Sequence, residues 1–432
     1  MLFLFFLFSL IILFSTIGYG IILSKILKFE NFNYNFGVVG ILGLFFLSLI
    51  SSFTHLFLAH NYTHNILLIL IGIFGLILVK KVILKETKIV ITIFTLLFIS
   101  LLISKTNEDF GYYHLPNSIQ FAQQKLQFGI GNLNHGFKHI SSLFMIMSLS
   151  YLPFFDHYLF NVTNFIFLVF FVLFIIKEIF LTKNTNLNLS NFILSLILVL
   201  FLTKFSRLAE YGSDLAAQII IFLFFFYIFE YFFNEKIQTK KQNYLKISII
   251  LITFAITLKF ISVIYIFIFF PFFILVNKKI DVIKSLLRVE FIIIISLSLL
   301  IFIFLNFSST GCLIYPVEKL CFGSYFDWAL STDVVKYLNF HYEVWSKGGL
   351  GPGFSVENQE QYIKNFNWIP NWINVYFIGK FSDFLLVTIS IIIFFFFFFK
   401  EIYFYRKKKY NNNINYLYFY VPIIIVFLLW FF

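Results

Sequence analysis

The stretch LFLFFLFSLIILFSTIGYGII at residues 2–22 decides the class of fold, because it contains no charged side chain. A helix of about 20 such residues crosses the roughly 30 Å hydrocarbon core of a bilayer. Similar apolar runs recur along the chain, so the sequence predicts an all-α polytopic membrane protein with about twelve transmembrane helices. We place these helices near residues 2–22, 37–57, 64–79, 88–103, 157–177, 189–203, 214–233, 246–258, 260–276, 289–306, 380–399 and 415–432.

The composition excludes both a soluble globular protein and a disordered one. Of the 432 residues, 60% are hydrophobic and 12% charged, whereas soluble domains carry roughly a quarter of charged residues and disordered chains have low hydrophobicity. The 69 Phe residues are typical of an AT-rich genome, so the aromatic fraction of 23% does not by itself indicate an aromatic binding surface. The net charge of +12 comes from short loops between apolar runs, which excludes a nucleic-acid partner.

The positions of Lys and Arg predict the orientation of the helices. Basic residues concentrate in loops 80–88, 234–246, 277–288 and 400–409, which the positive-inside rule assigns to the cytoplasm. Alternation of the helices then places residues 104–156, 204–213, Lys259 and 307–379 on the outer face. Within the first of these segments, HISSLFMIMSLSYLPFF at 139–155 predicts an amphipathic helix lying on the membrane surface.

The motif TNEDFGYYHLP at residues 106–116 places two adjacent carboxylates, Glu108 and Asp109, directly after an apolar run. Tyr112, Tyr113 and His114 follow in a compact turn. The pair has two interpretations, a solvated acidic loop or a general base or metal ligand held at the membrane surface.

This acidic pair, the YHLP turn at 113–116 and GNLNHGFKHISSLF at 131–144 together resemble the GT-C superfamily of integral-membrane glycosyltransferases. The pattern is most similar to bacterial members from polysaccharide-related loci. The resemblance covers residues 88–330. It implies a GT-C-like core there, N-terminal transmembrane helices at 1–87, and an outer segment with C-terminal helices at 331–432.

The resemblance implies transfer of a sugar from a polyprenyl-phosphate carrier to an acceptor on the outer face of the bacterial cytoplasmic membrane. Asp109 corresponds to the family's base, and Glu108 to a partner that binds a metal or holds the geometry. Tyr113 and His114 are expected to contact substrate. The sugar, the acceptor and the need for a divalent metal stay open at this point, as does the division of roles within the acidic pair.

Two further outer positions carry charge. KFSRLAEYGSDLAAQ at 204–218 contains Arg207, Glu210 and Asp214. Arg207 is expected to clamp phosphate because a guanidinium forks onto phosphate oxygens, while Asp214 is either a substrate contact or only a helix N-cap. Lys259 stands between two apolar runs, where it either snorkels to the interface or contacts the donor phosphate.

Histidines and cysteines complete the candidate residues of the outer segments. His114, His135 and His139 have either a structural role or a role in binding metal or acceptor. Cys312 and Cys321 are the only cysteines and both are predicted to lie on the oxidising side, so we expect a disulfide that closes a loop around Tyr315 and Pro316.

Three other functions remain as alternatives. A transporter or flippase for lipid-linked glycans would place charges near the bilayer midplane, but Lys177 and Glu230 lie close to predicted cytoplasmic ends. A polymerase or ligase is expected to use arginines in large outer loops, and 307–379 contains none. A glycolipid-binding protein without turnover is the third alternative.

Overall fold

The structure is a computed structural model that describes most of the chain up to residue 378. The described residues are 1–29, 35–77, 80–103, 109–181, 194–195, 197–199, 201–202, 212–233, 238–269, 283–284, 286–351 and 353–378, with single residues at 385, 389, 392 and 425. Glu108, Arg207, Glu210 and the apolar runs predicted at 380–399 and 415–432 lie outside this set, apart from those single residues.

Helices make up most of the described structure. The first seven are α1 Leu2–Ile26, α2 Phe36–His55, α3 Tyr62–Ile77, α4 Lys80–Leu102, α5 Leu115–Gln123, α6 Ser142–Ser148 and α7 Val162–Leu181. The others are α8 Ser213–Phe233, α9 Gln238–Leu258, α10 Val289–Thr310, α11 Thr332–Ser346, α12 Gln359–Ile363 and α13 Ile369–Trp372. The strands β1 Leu350–Gly351 and β2 Phe354–Ser355 form one short antiparallel hairpin.

Within the described part of the chain, five segments are long and apolar enough to cross a membrane: Leu2–Ile26, Phe36–His55, His157–Ile179, Ser213–Tyr231 and Val289–Thr310. Helix α3 also exposes Leu67, Leu70 and Phe74, which suits contact with lipid rather than with water. The described chain is thus an all-α membrane protein with several spans. The total of about twelve stays a prediction.

Some boundaries differ from those predicted. Helix α4 begins at Lys80, so the basic stretch predicted as loop 80–88 forms the first turns of a helix. The run predicted at 246–258 lies within α9, and the described part of the run predicted at 260–276 is a 3-10 helix at Phe260–Phe269. The two helices meet at Lys259. Lys259 therefore marks the point where the regular helix ends.

Helices α1, α2 and α3 pack closely because small residues face each other. A Cβ at Gly18 would lie 1.7 Å from the carbonyl oxygen of Gly72, and one at Gly43 would lie 1.9 Å from that of Thr16. Only glycine permits these distances between helix backbones. Helix α1 is thereby fixed between α2 and α3.

Ion pairs join helix ends that the sequence predicts to be cytoplasmic. Lys28 after α1 contacts Glu290 at the start of α10, with 3.1 Å between Nζ and Oε1. Lys177 near the end of α7 contacts Glu86 in α4, with 2.9 Å between Nζ and Oε2. Each pair thus joins two ends that the alternation of the helices predicts to lie on the same side.

The prediction of a surface helix within 139–155 is wrong in its placement. Helix α6 forms there, but all seven of its residues are buried. It packs against α2, α5, α7 and α9, so protein surrounds its apolar side chains instead of lipid on one face. Ser141 and Ser142 fasten its beginning to the end of α9 by hydrogen bonds to the Leu258 carbonyl oxygen (2.7 Å) and the Thr257 hydroxyl (3.1 Å).

Candidate functional site

One cavity of about 890 Å³ lies at the end of the molecule that the sequence predicts to face outward. Its walls come from residues 109–144, 212–214, 258–260 and 302–345. The three predicted outer segments and Lys259 thus meet around one space. The volume is in the range of sites that bind small molecules.

Five residues of the predicted site line this cavity: Asp109, Tyr113, His114, Asp214 and Lys259. The other three predicted residues, Glu108, Arg207 and Glu210, lie outside the described part of the chain. Two carboxylates and one ammonium group from distant parts of the sequence are therefore brought together, while their chemical roles stay predictions.

Backbone geometry fixes Tyr113 and His114. They belong to a π-helical turn, Phe110–His114, that leads directly into α5. A Cβ at Gly136 would lie 1.9 Å from the Cβ of Tyr113, and a Cβ at Gly212 would lie 2.3 Å from the ring of His114. These two glycines therefore allow the neighbouring segments to pack directly on the turn.

Lys259 forms an ion pair with Asp214 on the cavity surface. The two side chains are 44% and 54% exposed, so the pair remains accessible to a ligand. Helix α8 begins at Ser213, which places Asp214 in its first turn rather than at the N-cap position, where a negative charge still suits the helix dipole. Lys259 is thus held at the end of α9 by a carboxylate from another helix.

A hydroxyl group, that of Tyr342, connects three parts of the cavity wall. Its oxygen lies 3.0 Å from each of three atoms: the Nε2 of His135, the Nε2 of His139 and the hydroxyl oxygen of Tyr315. A hydroxyl donates one hydrogen bond and accepts two. At least one of the two histidines must therefore donate from Nε2.

The histidines of this wall are kept neutral by their surroundings. Burial lowers the pKa of His139 to about 4, helped by repulsion from a protonated His135 and from the ammonium groups of Lys138 and Lys259. Burial and the charges of Lys138 and His341 lower the pKa of His135. His139 lies deep in the molecule but keeps accessible surface because it faces the cavity. Both rings are therefore neutral at neutral pH, and each offers one donor and one acceptor nitrogen for hydrogen bonds.

His114 is buried against the inner wall, at 4% exposure. Burial lowers its pKa to about 4, and the charge of Asp214 offsets part of this effect. Its Nδ1 has no hydrogen-bond partner among the described residues. Burial also raises the pKa of the neighbouring Tyr113 hydroxyl, helped by Asp109 and Asp214, so this hydroxyl stays protonated.

The cavity also contains residues that the sequence did not single out as site residues: Lys138, Tyr337, His341, Tyr342 and Trp345. Lys138 adds a second amino group to the lining. Burial lowers the pKa of this group. Four of the five belong to α11, and the sequence contains a pattern that could have identified three of these four. Tyr337, His341 and Trp345 recur at every fourth position, the spacing of one helix face.

Cys312 and Cys321 form a disulfide bond, with the sulfur atoms 2.07 Å apart, and so make the pairing that the sequence predicts. The loop that they close carries Tyr315 to Tyr342. A small apolar cluster packs the loop against α11 through Cys312, Leu330, Val335 and Leu338. The disulfide therefore supports the outer wall of the cavity.

A second, apolar groove of about 590 Å³ runs along α10 beside this loop. It is lined by Leu300, Ile303, Phe304, Phe307, Leu313, Phe322, Tyr325 and Phe326. Leu313 also lines the cavity, so the groove and the cavity adjoin. An apolar chain in the groove could place a polar head in the cavity.

No group of three or more His, Cys, Asp or Glu side chains in the described residues is arranged to hold a metal ion. The described lining offers carboxylates, amino groups, imidazoles and hydroxyls.

Comparison with known proteins yields a family but no described activity. No curated protein and no solved structure matches the chain. A match over residues 1–432 links it to a family described as "Domain of unknown function (DUF8201)". Since this match spans the whole sequence, the chain belongs to the DUF8201 family.

Proposed function

We propose that this protein is a GT-C-type membrane glycosyltransferase that moves a sugar from a polyprenyl-phosphate carrier to an acceptor at the outer face of the bacterial cytoplasmic membrane. The observation that carries the proposal is the shared cavity, in which Asp109, Asp214, Lys138 and Lys259 line one space of about 890 Å³. Sugar transfer from a lipid phosphate needs a base and positive charge around a single anomeric carbon.

In the proposed reaction, a hydroxyl oxygen of the acceptor attacks the anomeric carbon of the donor sugar. A bond forms between these two atoms while the bond from the anomeric carbon to the phosphate oxygen breaks. Asp109 takes the proton of the attacking hydroxyl, and the phosphate leaves with the electron pair.

The leaving phosphate requires cations, and the cavity supplies two amino groups. Lys259 is held in place by its ion pair with Asp214, and the two opposite charges give the pair a net charge near zero. Lys138 faces the same space from another segment. We assign Lys138 the larger share of phosphate stabilisation and Lys259 a positioning contact, because ion pairing offsets the field of Lys259.

The groove along α10 suits the lipid part of the donor. Its lining consists of apolar and aromatic side chains, and it adjoins the cavity at Leu313. A prenyl chain in the groove would hold its phosphate at the cavity edge. This placement gives a reason for chemistry at the membrane surface, where an apolar tail and a polar acceptor meet.

The test is consumption of polyprenyl-phosphate sugars by the full-length protein in nanodiscs, with a membrane extract as the source of acceptor. Replacement of a general base typically costs roughly 10²- to 10⁴-fold in rate, so we expect a loss of this size for Asp109→Asn. Asp327→Asn changes an exposed outer carboxylate outside the cavity and serves as the matched control.

Equal turnover in wild type and Asp109→Asn would remove Asp109 from the mechanism. A wild type that consumes no donor, but moves a lipid-linked glycan across the bilayer of a vesicle, would favour the transporter or flippase instead.

A further inference from the structure

Helix α11 presents three aromatic rings to the cavity in a row. Tyr337, His341 and Trp345 all line it, and adjacent ring centroids lie 6.2 Å and 6.0 Å apart. These distances equal one step of four residues along a helix, about 6 Å. Tyr337 is 65% exposed and Trp345 44%, so the outer two side chains are accessible to a ligand. We call these three residues the aromatic ladder.

The ladder stands on a rigid support. The neighbouring Tyr342 is tied to His135 and His139 by hydrogen bonds of 3.0 Å. Val335 and Leu338 are buried in the cluster formed with the disulfide loop. Since both sides of α11 next to the ladder are fastened, the helix that carries the three rings is held in place before any ligand arrives.

The general excess of aromatic residues in this chain does not account for the ladder. That excess is mainly Phe, at 69 residues, whereas the ladder contains none. Trp occurs only 5 times in the chain and His 8 times. An interfacial aromatic belt would face lipid, but these rings line the polar cavity that also contains Asp109 and Lys138.

We propose that the aromatic ladder binds the sugar rings of a glycan acceptor, an inference that rests on the proposed glycosyltransferase function and names its acceptor class. The C–H bonds on one face of a pyranose carry partial positive charge and pack on the negative face of an aromatic ring. The ring spacing is comparable to the length of one hexose unit, so three rings receive consecutive sugars of a linear chain.

The edges of the ladder favour a saccharide over a lipid chain. Tyr, His and Trp each combine an apolar face with a polar edge, as a sugar combines an apolar face with a rim of hydroxyl groups. The cavity opposite the ladder supplies carboxylate, amino and imidazole groups that can bind these hydroxyls. The adjoining groove on α10, by contrast, is lined almost entirely by apolar side chains, and is the surface that suits a lipid.

The experiment is saturation-transfer difference NMR on the full-length protein in nanodiscs with deuterated lipid. The probes are linear hexasaccharides of glucose, N-acetylglucosamine, mannose and galactose, in both α and β linkages, at millimolar concentration. We expect transfer to at least one hexasaccharide with wild type. Loss of one stacked ring in Tyr337→Ala or Trp345→Ala should weaken its binding about three- to tenfold.

Two kinds of control define the result. Tyr337→Phe and Trp345→Phe keep an aromatic face and should bind nearly as well as wild type. Tyr158→Ala removes a tyrosine of similar exposure, 70%, that does not line the cavity, and should not change binding.

Binding is measured without donor, so its outcome is separate from that of the turnover assay. Donor consumption by a wild type that binds none of the hexasaccharides would overturn the glycan acceptor and leave the transferase. Ladder-dependent binding without donor consumption would keep the saccharide site and reject the transferase. Binding that is equal in wild type and both alanine variants would place the saccharide elsewhere and overturn the proposal.

Discussion

Two groups of histidines at the predicted outer end share a residue type but differ in their surroundings. The packed cluster consists of His55, His60 and His64. The cavity cluster consists of His135 and His139 around Tyr342. The first lies where α2, α3 and α6 meet, and the second borders the cavity of about 890 Å³.

In the packed cluster, neighbouring protein groups satisfy the central ring. His60 is fully buried, with Nδ1 2.6 Å from the Ser148 hydroxyl and Nε2 3.0 Å from the Ser51 carbonyl oxygen. His64 stacks on it with 4.8 Å between ring centroids. Asn65 donates to three carbonyl oxygens around it, at 2.8 to 2.9 Å. A ring so enclosed has no room for a ligand, which indicates a structural role.

The cavity cluster uses its hydrogen bonds to join three segments and still keeps surface toward open space. The comparison shows that hydrogen bonds alone do not indicate the role of a histidine. Whether the ring is enclosed by protein or borders an open cavity also matters. The sequence cannot distinguish the two groups, since both occur in short polar stretches between apolar runs. The comparison predicts that changes in the packed cluster act on stability, and changes in the cavity cluster on binding and turnover.

The largest expected effect is on stability, from His60→Ala. The change removes a buried ring and leaves Ser148 and Ser51 without that partner, which should lower the free energy of unfolding by about 2–4 kcal/mol. The measurement is thermal unfolding in nanodiscs. His135→Ala, in the half-exposed cavity cluster, is the matched control and should cost about 1 kcal/mol or less. Equal losses in the two variants would contradict the distinction between the clusters.

The next effect is on the pH dependence of stability. Burial and the charges of His55 and His64 lower the pKa of His60 below its ordinary value of about 6.5. The unfolded chain therefore binds a proton before the folded protein does, so this stability is complete above about pH 6.5 and is lost as the pH falls below it. We expect the unfolding temperature to fall between pH 7 and pH 5, less steeply in His60→Phe.

His139→Phe is the comparison variant for this pH series. The pKa of His139 is also lowered, to about 4, so its removal should reduce the slope as well. Its ring faces the cavity, where water can hydrate part of the charge, so we expect a smaller reduction than on removal of His60. A larger change of slope for His139→Phe would show that the cavity cluster is as dry as the packed one.

The sequence predicts a helix well where a long run is uniformly apolar, because no periodic pattern of polar and apolar residues is then needed to identify it. An uncharged run such as 2–22 can only satisfy its backbone as a helix in lipid, and α1 follows it closely. The sequence also predicts that Asp109 and Lys259 share the outer side, and in the structure both line the same cavity.

The features that could not be predicted from the sequence are those that depend on tertiary contacts. The apolar residues of α6 do not reveal whether their neighbours are lipid or protein, so its burial was missed. Tyr342 is one of 24 tyrosines, and its importance arises only because His135, 207 positions away, lies against it. Long-range approaches of this kind leave no local pattern.

A third prediction concerns the disulfide. Its cysteines are separated by nine positions. For a loop this short, the chain-entropy treatment predicts that removing the disulfide lowers the free energy of unfolding by about 2–3 kcal/mol. The double variant Cys312→Ser/Cys321→Ser should increase hydrogen exchange in residues 312–346, since Tyr315 and α11 lose their support. Exchange in residues 55–65, around the packed cluster, should not change. Equal increases in both regions would mean that the disulfide stabilises the whole molecule rather than the cavity wall.

The smallest expected effect tests the cavity cluster itself, with Tyr342→Phe. The ring and its packing remain, but the hydroxyl that joins His135, His139 and Tyr315 is lost. Because these partners face the cavity and can bond water instead, we expect the free energy of unfolding to fall by about 1 kcal/mol or less. Turnover in the donor-consumption assay should fall about tenfold, since α11 and the two histidines lose their fixed relation.

Tyr315→Phe separates the two contributions of this hydroxyl network. It removes one bond to Tyr342 but leaves both bonds to the histidines, so turnover should fall less than in Tyr342→Phe. If Tyr342→Phe instead unfolded the protein as readily as His60→Ala, the cavity cluster would be a second packed cluster. Contact with the cavity would then not separate a functional histidine cluster from a structural one, and the distinction between the two clusters would fail.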